Sequence, residues 1–178
     1  MRATLKTAAG YLSTLVTRYT PLDLSRPSLE GIFNILPITN SILTSGQPTE
    51  AQLQCVRDAG YQHVINLAPH GIENALPDER ASLEALGMQY THIPVDFKNP
   101  TEANFAQFCE TLQGLGDTKV LVHCAANMRV SAFMFRYRRD VLDEPAERLL
   151  DDLHSIWEPF GVWKKFIAAP RSSPKTSP

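Results

Sequence analysis

Val120-Leu121-Val122-His123-Cys124-Ala125-Ala126-Asn127-Met128-Arg129-Val130-Ser131 runs from an unbroken apolar segment into a short polar loop and out onto a helical pattern. A strand covered on both faces has no polar face to alternate, so a continuous apolar run over Lys119 to His123 predicts the centre of a parallel sheet. Residues 125 to 128 are too few to form an element of their own. After them Val130, Phe133, Met134, Tyr137 and Val141 recur at helical spacing and give one apolar face. Strand, tight loop and helix in that order predict an α/β chain with the loop at a strand's carboxyl end, where such sheets bind ligands.

The flanking sequence repeats this alternation. Thr49 with Gln52 makes a capping box that starts a helix to about Ala59, where Gly60 stops it. His63 to Leu67 predicts a buried strand, 68 to 76 a loop, Pro77 to Leu86 a helix ended by Gly87, and Met88 to Val95 a strand. Phe105, Phe108, Cys109, Leu112 and Leu115 mark the next helix. Helices are also expected after Pro145 and over Val162 to Ala168, and Ile32 to Leu36 and Ser41 to Thr44 are short strands or connections. Residues 1–28 predict an amphipathic helix and linker that docks on the domain, pairs with a partner or rests on a membrane surface. The expectation is a single domain over 29–169, a central mainly parallel sheet flanked by helices, with a disordered Ser/Pro-rich tail at 170–178.

The loop also has chemistry to offer. Helix entry leaves the first N–H groups without intrahelical partners, free to converge on a thiolate or on the oxygens of a phosphate. A cysteine becomes nucleophilic when such donors and a cation stabilise its ionised sulfur. Cys124 supplies the sulfur, the backbone of Ala125, Ala126, Asn127, Met128 and Val130 the donors, and Arg129 a planar fork for two oxygens. Ser131 would hydrogen-bond the sulfur, or be an ordinary first-turn serine. His123, adjacent to Cys124 on an extended strand, cannot share its face and is expected to organise the loop rather than act as base.

The His123-Cys124 pair, the short loop, Arg129 and Ser131 resemble the signature of cysteine-dependent protein tyrosine phosphatases, most closely the dual-specificity type and its bacterial relatives. Ser45-Gly46-Gln47-Pro48-Thr49 and Gly60-Tyr61-Gln62-His63-Val64-Ile65-Asn66-Leu67 resemble the opening of those bacterial proteins. The resemblance spans about Phe33 to Ala168 and implies a dual-specificity-phosphatase-like fold and a phosphomonoester hydrolase. It assigns Cys124 as nucleophile, Arg129 as clamp on the equatorial oxygens, and Asp96, in His92-Ile93-Pro94-Val95-Asp96-Phe97, as acid and then base. Family members usually place five residues between cysteine and arginine; here there are four, with Asn127 at the glycine position and Val130 between Arg129 and Ser131. Asn is the non-glycine residue most tolerant of positive φ, so the turn survives.

Four-residue spacing also occurs in rhodanese-like sulfurtransferases, where the loop cradles a persulfide. A persulfide carrier needs no proton donor for a leaving alcohol, so an acid at Asp96 separates the two chemistries. Asp78 and Glu79, at a helix start where carboxylates are favoured anyway, are the rival acids. The third alternative is a catalytically weak phosphate-binding interaction module.

With 178 residues, 43% hydrophobic content and a net charge of −2, the chain can bury one substantial core but lacks the basic face that nucleic-acid binding demands. Expected partners are a phosphorylated protein or a small phosphomonoester. No run is long enough to span a bilayer, and oligomeric state leaves no signature. The cluster Arg136, Arg138, Arg139 reads as solvated helix surface or as a source of positive field near the loop. Three cysteines without framework spacing suggest free thiols in a reducing, cytoplasmic compartment. His63, His70, His92, His123 and His154 are scattered, so neither metal nor cofactor is expected.

Overall fold

The apolar run lies where its composition demands. In this computed structural model, which describes residues 2–19 and 27–171, Val120–His123 (β5) is buried along its whole length. It pairs in parallel with Ile42–Ser45 (β2) on one side and His63–Asn66 (β3) on the other. Gln89–His92 (β4) adds in parallel to β3, and Leu36–Pro37 (β1) adds antiparallel to β2, giving the order β1-β2-β5-β3-β4. The register sets Ser45, His123 and Asn66 abreast. Loops leaving β2, β5 and β3 therefore open at one edge.

Side-chain alternation along β5 divides the core. Val120 and Val122 face a cluster with Phe105, Phe108, Phe133, Trp157, Trp163 and Phe166, while Leu121 faces Leu53, Val56, Val64 and Leu83. The first layer is built by Glu102–Gly114 (α4), Met128–Asp140 (α5), Ala146–Ile156 (α6) and Val162–Ala168 (α7). The second is built by Glu50–Asp58 (α2) and Glu79–Ala85 (α3). Each fully buried Phe contributes roughly 1.5–3 kcal/mol of transfer free energy, so the aromatic layer anchors α5 firmly.

Local signals account for most boundaries. Thr49 and Gln52 form the expected capping box, and the chain leaves α2 through Gly60 at φ +87°. A second box, Thr101 with Asn104, opens α4. The stretch from Ile32 is not a strand until Leu36, because Asn34 turns at φ 50° after a short 3-10 helix over Leu29–Gly31. The arginine cluster is neither solvated surface nor pocket field. Arg136 is fully buried, its fork on Glu102 at 2.7 and 2.9 Å, and Arg138 pairs with Glu144 and Asp152. Arg139 bonds Asp140 and the carbonyls of Ile167 and Ala169 at the end of α7.

The N-terminal helix, Arg2–Tyr19 (α1), docks on the domain. It packs on α6 and across the β5–α5 loop. The tail beyond Arg171 lies outside the described residues, and among the described residues no helix is long and apolar enough to cross a membrane.

Candidate active site

The loop after β5 is shaped by pulling its carbonyls outward. Asn74 Nδ2 and the Gln47 N–H donate to Ala125 O at 3.0 and 3.3 Å, and Asn34 Nδ2 donates to Ala126 O at 3.0 Å. Asn127 then turns the chain at φ 64°, ψ 3° into α5. Its buried amide secures the turn by donating to Asn34 O at 2.8 Å and Thr44 Oγ1 at 3.1 Å. With the carbonyls occupied outside, the amide N–H groups of Ala125, Ala126, Met128, Arg129 and Val130 have no hydrogen-bond partner among the described residues. The last three open α5, where first-turn donors lack intrahelical partners and can receive an anion. Cys124, fully buried, lines the same cavity as Ala125, Ala126, Met128 and Arg129.

Asn127 gives the loop a direct test. Asn127→Val should destabilise the fold by about 2 kcal/mol, because a β-branched residue is strained at positive φ and both anchoring bonds vanish. Asn127→Gly, free of that strain, should lose less. Urea unfolding of both variants decides the order.

Arg129 lines the cavity too. Its Nε donates to Val95 O at 2.9 Å, its guanidinium carbon lies 5.2 Å from the Phe97 ring centroid, and it forms no ion pair among the described residues. The missing loop residue thus does not turn this side chain away from the sulfur's cavity. The segment it grips carries Asp96. Trp163 Nε1 donates to Phe97 O at 2.9 Å, so the loop is tied on both sides of Asp96. Asp96 itself is exposed, accepts the Lys98 N–H at 2.9 Å, and is not among the cavity-lining residues.

The remaining predicted residues serve the frame. Val130 is wholly in the core. Ser131 Oγ donates to Met128 O and accepts from Trp157 Nε1, both at 3.1 Å, rather than meeting the sulfur. His123 Nε2 stands 3.0 Å from Glu79 Oε1 without the alignment of a hydrogen bond. Glu79 opens α3, as its sequence position suggests, but it also sits in a buried network that the sequence did not reveal. It is buried and accepts from Gln47 Nε2 at 2.8 Å, Asn66 Nδ2 at 2.6 Å and Tyr90 Oη at 3.0 Å. Burial alone would raise its pKa, but His123, Gln47 and Asn66 outweigh burial and hold it at about 2. The available signal was spacing: Glu79 shares the buried face of α3 with Leu83, four residues on. Asp78 caps α3 through the Ala81 N–H.

α1 completes the cavity. Thr4, Thr7, Ala8 and Tyr11 line it together with the loop and Phe97, and its volume is about 290 Å³. Tyr11 Oη donates to Glu73 Oε2 at 2.9 Å, and burial with that bond pushes the phenol up to about 12, so it stays a donor. Among the described residues, no group of three or more His, Cys, Asp or Glu side chains is placed to hold a metal ion.

Comparison with known proteins agrees with this fold. The profile of a family described as DSP-PTPase phosphatase fused to NAD+ kinase matches residues 35–154. A crystal structure of a candidate phosphatase from Shewanella putrefaciens CN-32 superposes with a TM-score of 0.71 at 31% identity, covering 78% of this chain and 91% of that one. Pseudomonas aeruginosa TpbA, solved in complex with pTyr, shares the fold with a TM-score of 0.58 at 18% identity, over 68% of this chain and 72% of that one. A curated relative, the beta-lactamase hydrolase-like protein of Xylella fastidiosa (strain 9a5c), is 29% identical over 159 residues, 80% of this chain. The chain spans only 36% of that relative's length.

Proposed function

Since this chain belongs to the DSP-PTPase phosphatase family, we propose that it hydrolyses phosphomonoesters through a cysteinyl-phosphate intermediate. One observation carries the reading: Cys124 and Arg129 line one cavity together with Ala125, Ala126 and Met128, whose amide N–H groups have no partner among the described residues. Cys124 Sγ attacks phosphorus, and the bond to the leaving oxygen breaks. Asp96 gives that oxygen its proton. Water then attacks phosphorus, Asp96 takes the proton back, the S–P bond breaks and phosphate departs. Charge on the equatorial oxygens is met throughout by fixed amides and Arg129, which need no reorganisation. The ties at Val95 O and Phe97 O hold the loop that carries Asp96 beside Arg129 and Phe97, which line the cavity. Free thiols at Cys55, Cys109 and Cys124 support a reducing, cytoplasmic setting.

The test is hydrolysis of a series of aryl phosphates, inhibited by vanadate. Asp96→Asn should slow turnover by about 10²-fold or more for poor leaving groups and progressively less as the phenol becomes more acidic. A flat dependence would remove Asp96 from the mechanism. Sulfur transfer from thiosulfate to cyanide, without phosphate release, would favour the rhodanese-like alternative.

A further inference from the structure

We infer that α1 is the selectivity wall of this pocket: Ala8 and Tyr11 restrict the space above Cys124 to a compact phosphomonoester and exclude a phosphorylated polypeptide. The cavity, at about 290 Å³, is bounded on one side by the nucleophile loop and on the other by α1. That volume lies at the lower end of small-molecule sites. A phosphorylated side chain on a polypeptide needs room for the backbone flanking it, and α1 puts Thr4, Thr7, Ala8 and Tyr11 into the lining of this space.

The helix is built into the site rather than laid upon it. Thr7 is buried, donates to Ile156 O, and accepts at 3.0 Å from the same Asn34 Nδ2 that holds Ala126 O. Asn74, which holds Ala125 O, reaches Thr14 Oγ1 at 3.5 Å. Tyr11 and Tyr19 both fasten to Glu73, and Thr4 Oγ1 accepts the Glu158 N–H at 3.0 Å. The two asparagines that shape the loop therefore also bond α1.

Gly10 explains how the helix comes so close. A Cβ there would stand 2.2 Å from Phe33 Cε2, and the same ring would lie 2.8 Å from a Cβ on Gly46. Phe33 is wedged between two glycines and cannot retreat from one without striking the other. Gly costs a helix roughly 1 kcal/mol relative to Ala, so its presence mid-helix fits a packing requirement.

Gly10→Leu and Tyr11→Ala in the full chain test this. Leu forms helix better than Gly, so the first variant unseats an intact helix; the second opens the pocket and gives up only the Tyr11–Glu73 bond, while Thr4, Thr7 and Tyr19 keep the helix fastened. Alkylation by iodoacetamide and by fluorescein maleimide is followed at each cysteine by peptide mass spectrometry, with Cys109 as internal reference for folding. Both variants should raise the maleimide-to-iodoacetamide rate ratio at Cys124 at least tenfold, with Cys109 unchanged. In parallel, kcat/KM for a phosphotyrosine peptide relative to phenyl phosphate should rise at least tenfold. If Gly10→Leu fails to fold, Tyr11→Ala decides alone. An unchanged labelling ratio, or an unchanged substrate ratio in an active enzyme, overturns the inference. Only the substrate arm rests on the phosphatase reading: if the native chain cleaves no phosphomonoester, that reading fails while the labelling ratio still decides whether α1 walls the sulfur.

Discussion

Cys124→Ser is expected to lower aryl-phosphate turnover by about 10⁴-fold or more while leaving the protein folded. A serine hydroxyl needs a base to become a nucleophile, and none is provided. The nearest imidazole, His123, is turned to Glu79 and is buried at 0% exposure. Stability should change by no more than about 1 kcal/mol, because the new hydroxyl can accept from the unpartnered loop amides. Binding of inorganic phosphate should persist within about tenfold, since amides and Arg129 remain. Arg129→Lys should behave differently. Lys lacks both the planar fork and the Nε that grips Val95 O, so turnover should fall by about 10²- to 10³-fold and phosphate binding with it. Calorimetry with phosphate beside steady-state kinetics separates the two variants. Residual turnover within tenfold of the native chain in Cys124→Ser would remove the sulfur from the chemistry.

What the sequence disclosed divides along a physical line. Signals confined to a few neighbouring residues were legible: the apolar run of β5, the Thr49–Gln52 box, the glycine stop at Gly60, and an asparagine able to turn at positive φ. The loop after β5 belongs to this class, and so Cys124 and Arg129 could be placed on one tight turn into α5. Contacts between distant segments were not legible. Arg136 looked like helix surface because nothing local reveals that Glu102, on another helix, lies opposite it. Ser131 has the hydroxyl its position suggested, but Trp157 claims it. α1 could be recognised as amphipathic, yet only the fold shows that its inner face meets the pocket. Exposed Leu5 and Leu12 on its outer face made docking no more evident than a free helix.

Glu79 is the clearest instance, and its removal is expected to be the costliest change to stability. Glu79→Ala should destabilise the fold by roughly 3–5 kcal/mol at neutral pH, because the buried donors of Gln47, Asn66 and Tyr90 lose their acceptor together and the His123 ring loses its neighbouring carboxyl group. The damage should reach the active site. Gln47 donates its backbone N–H to Ala125 O, so a displaced Gln47 loosens the nucleophile loop, and turnover should fall as well. The pH dependence identifies charge as the cause. The network holds the carboxyl at about 2 in the folded chain, below its ordinary value of 4.5, so the unfolded state binds its proton first. Its stabilisation is therefore complete above the unfolded value and is lost as pH falls from about 4.5 toward 2. In urea unfolding, the gap between native chain and Glu79→Gln should be constant from neutral pH to about 5 and close progressively below. Gln keeps the volume and one acceptor, so what closes is the charge contribution alone. A gap that stays constant down to pH 3 would mean that shape, not the carboxylate, holds this network together.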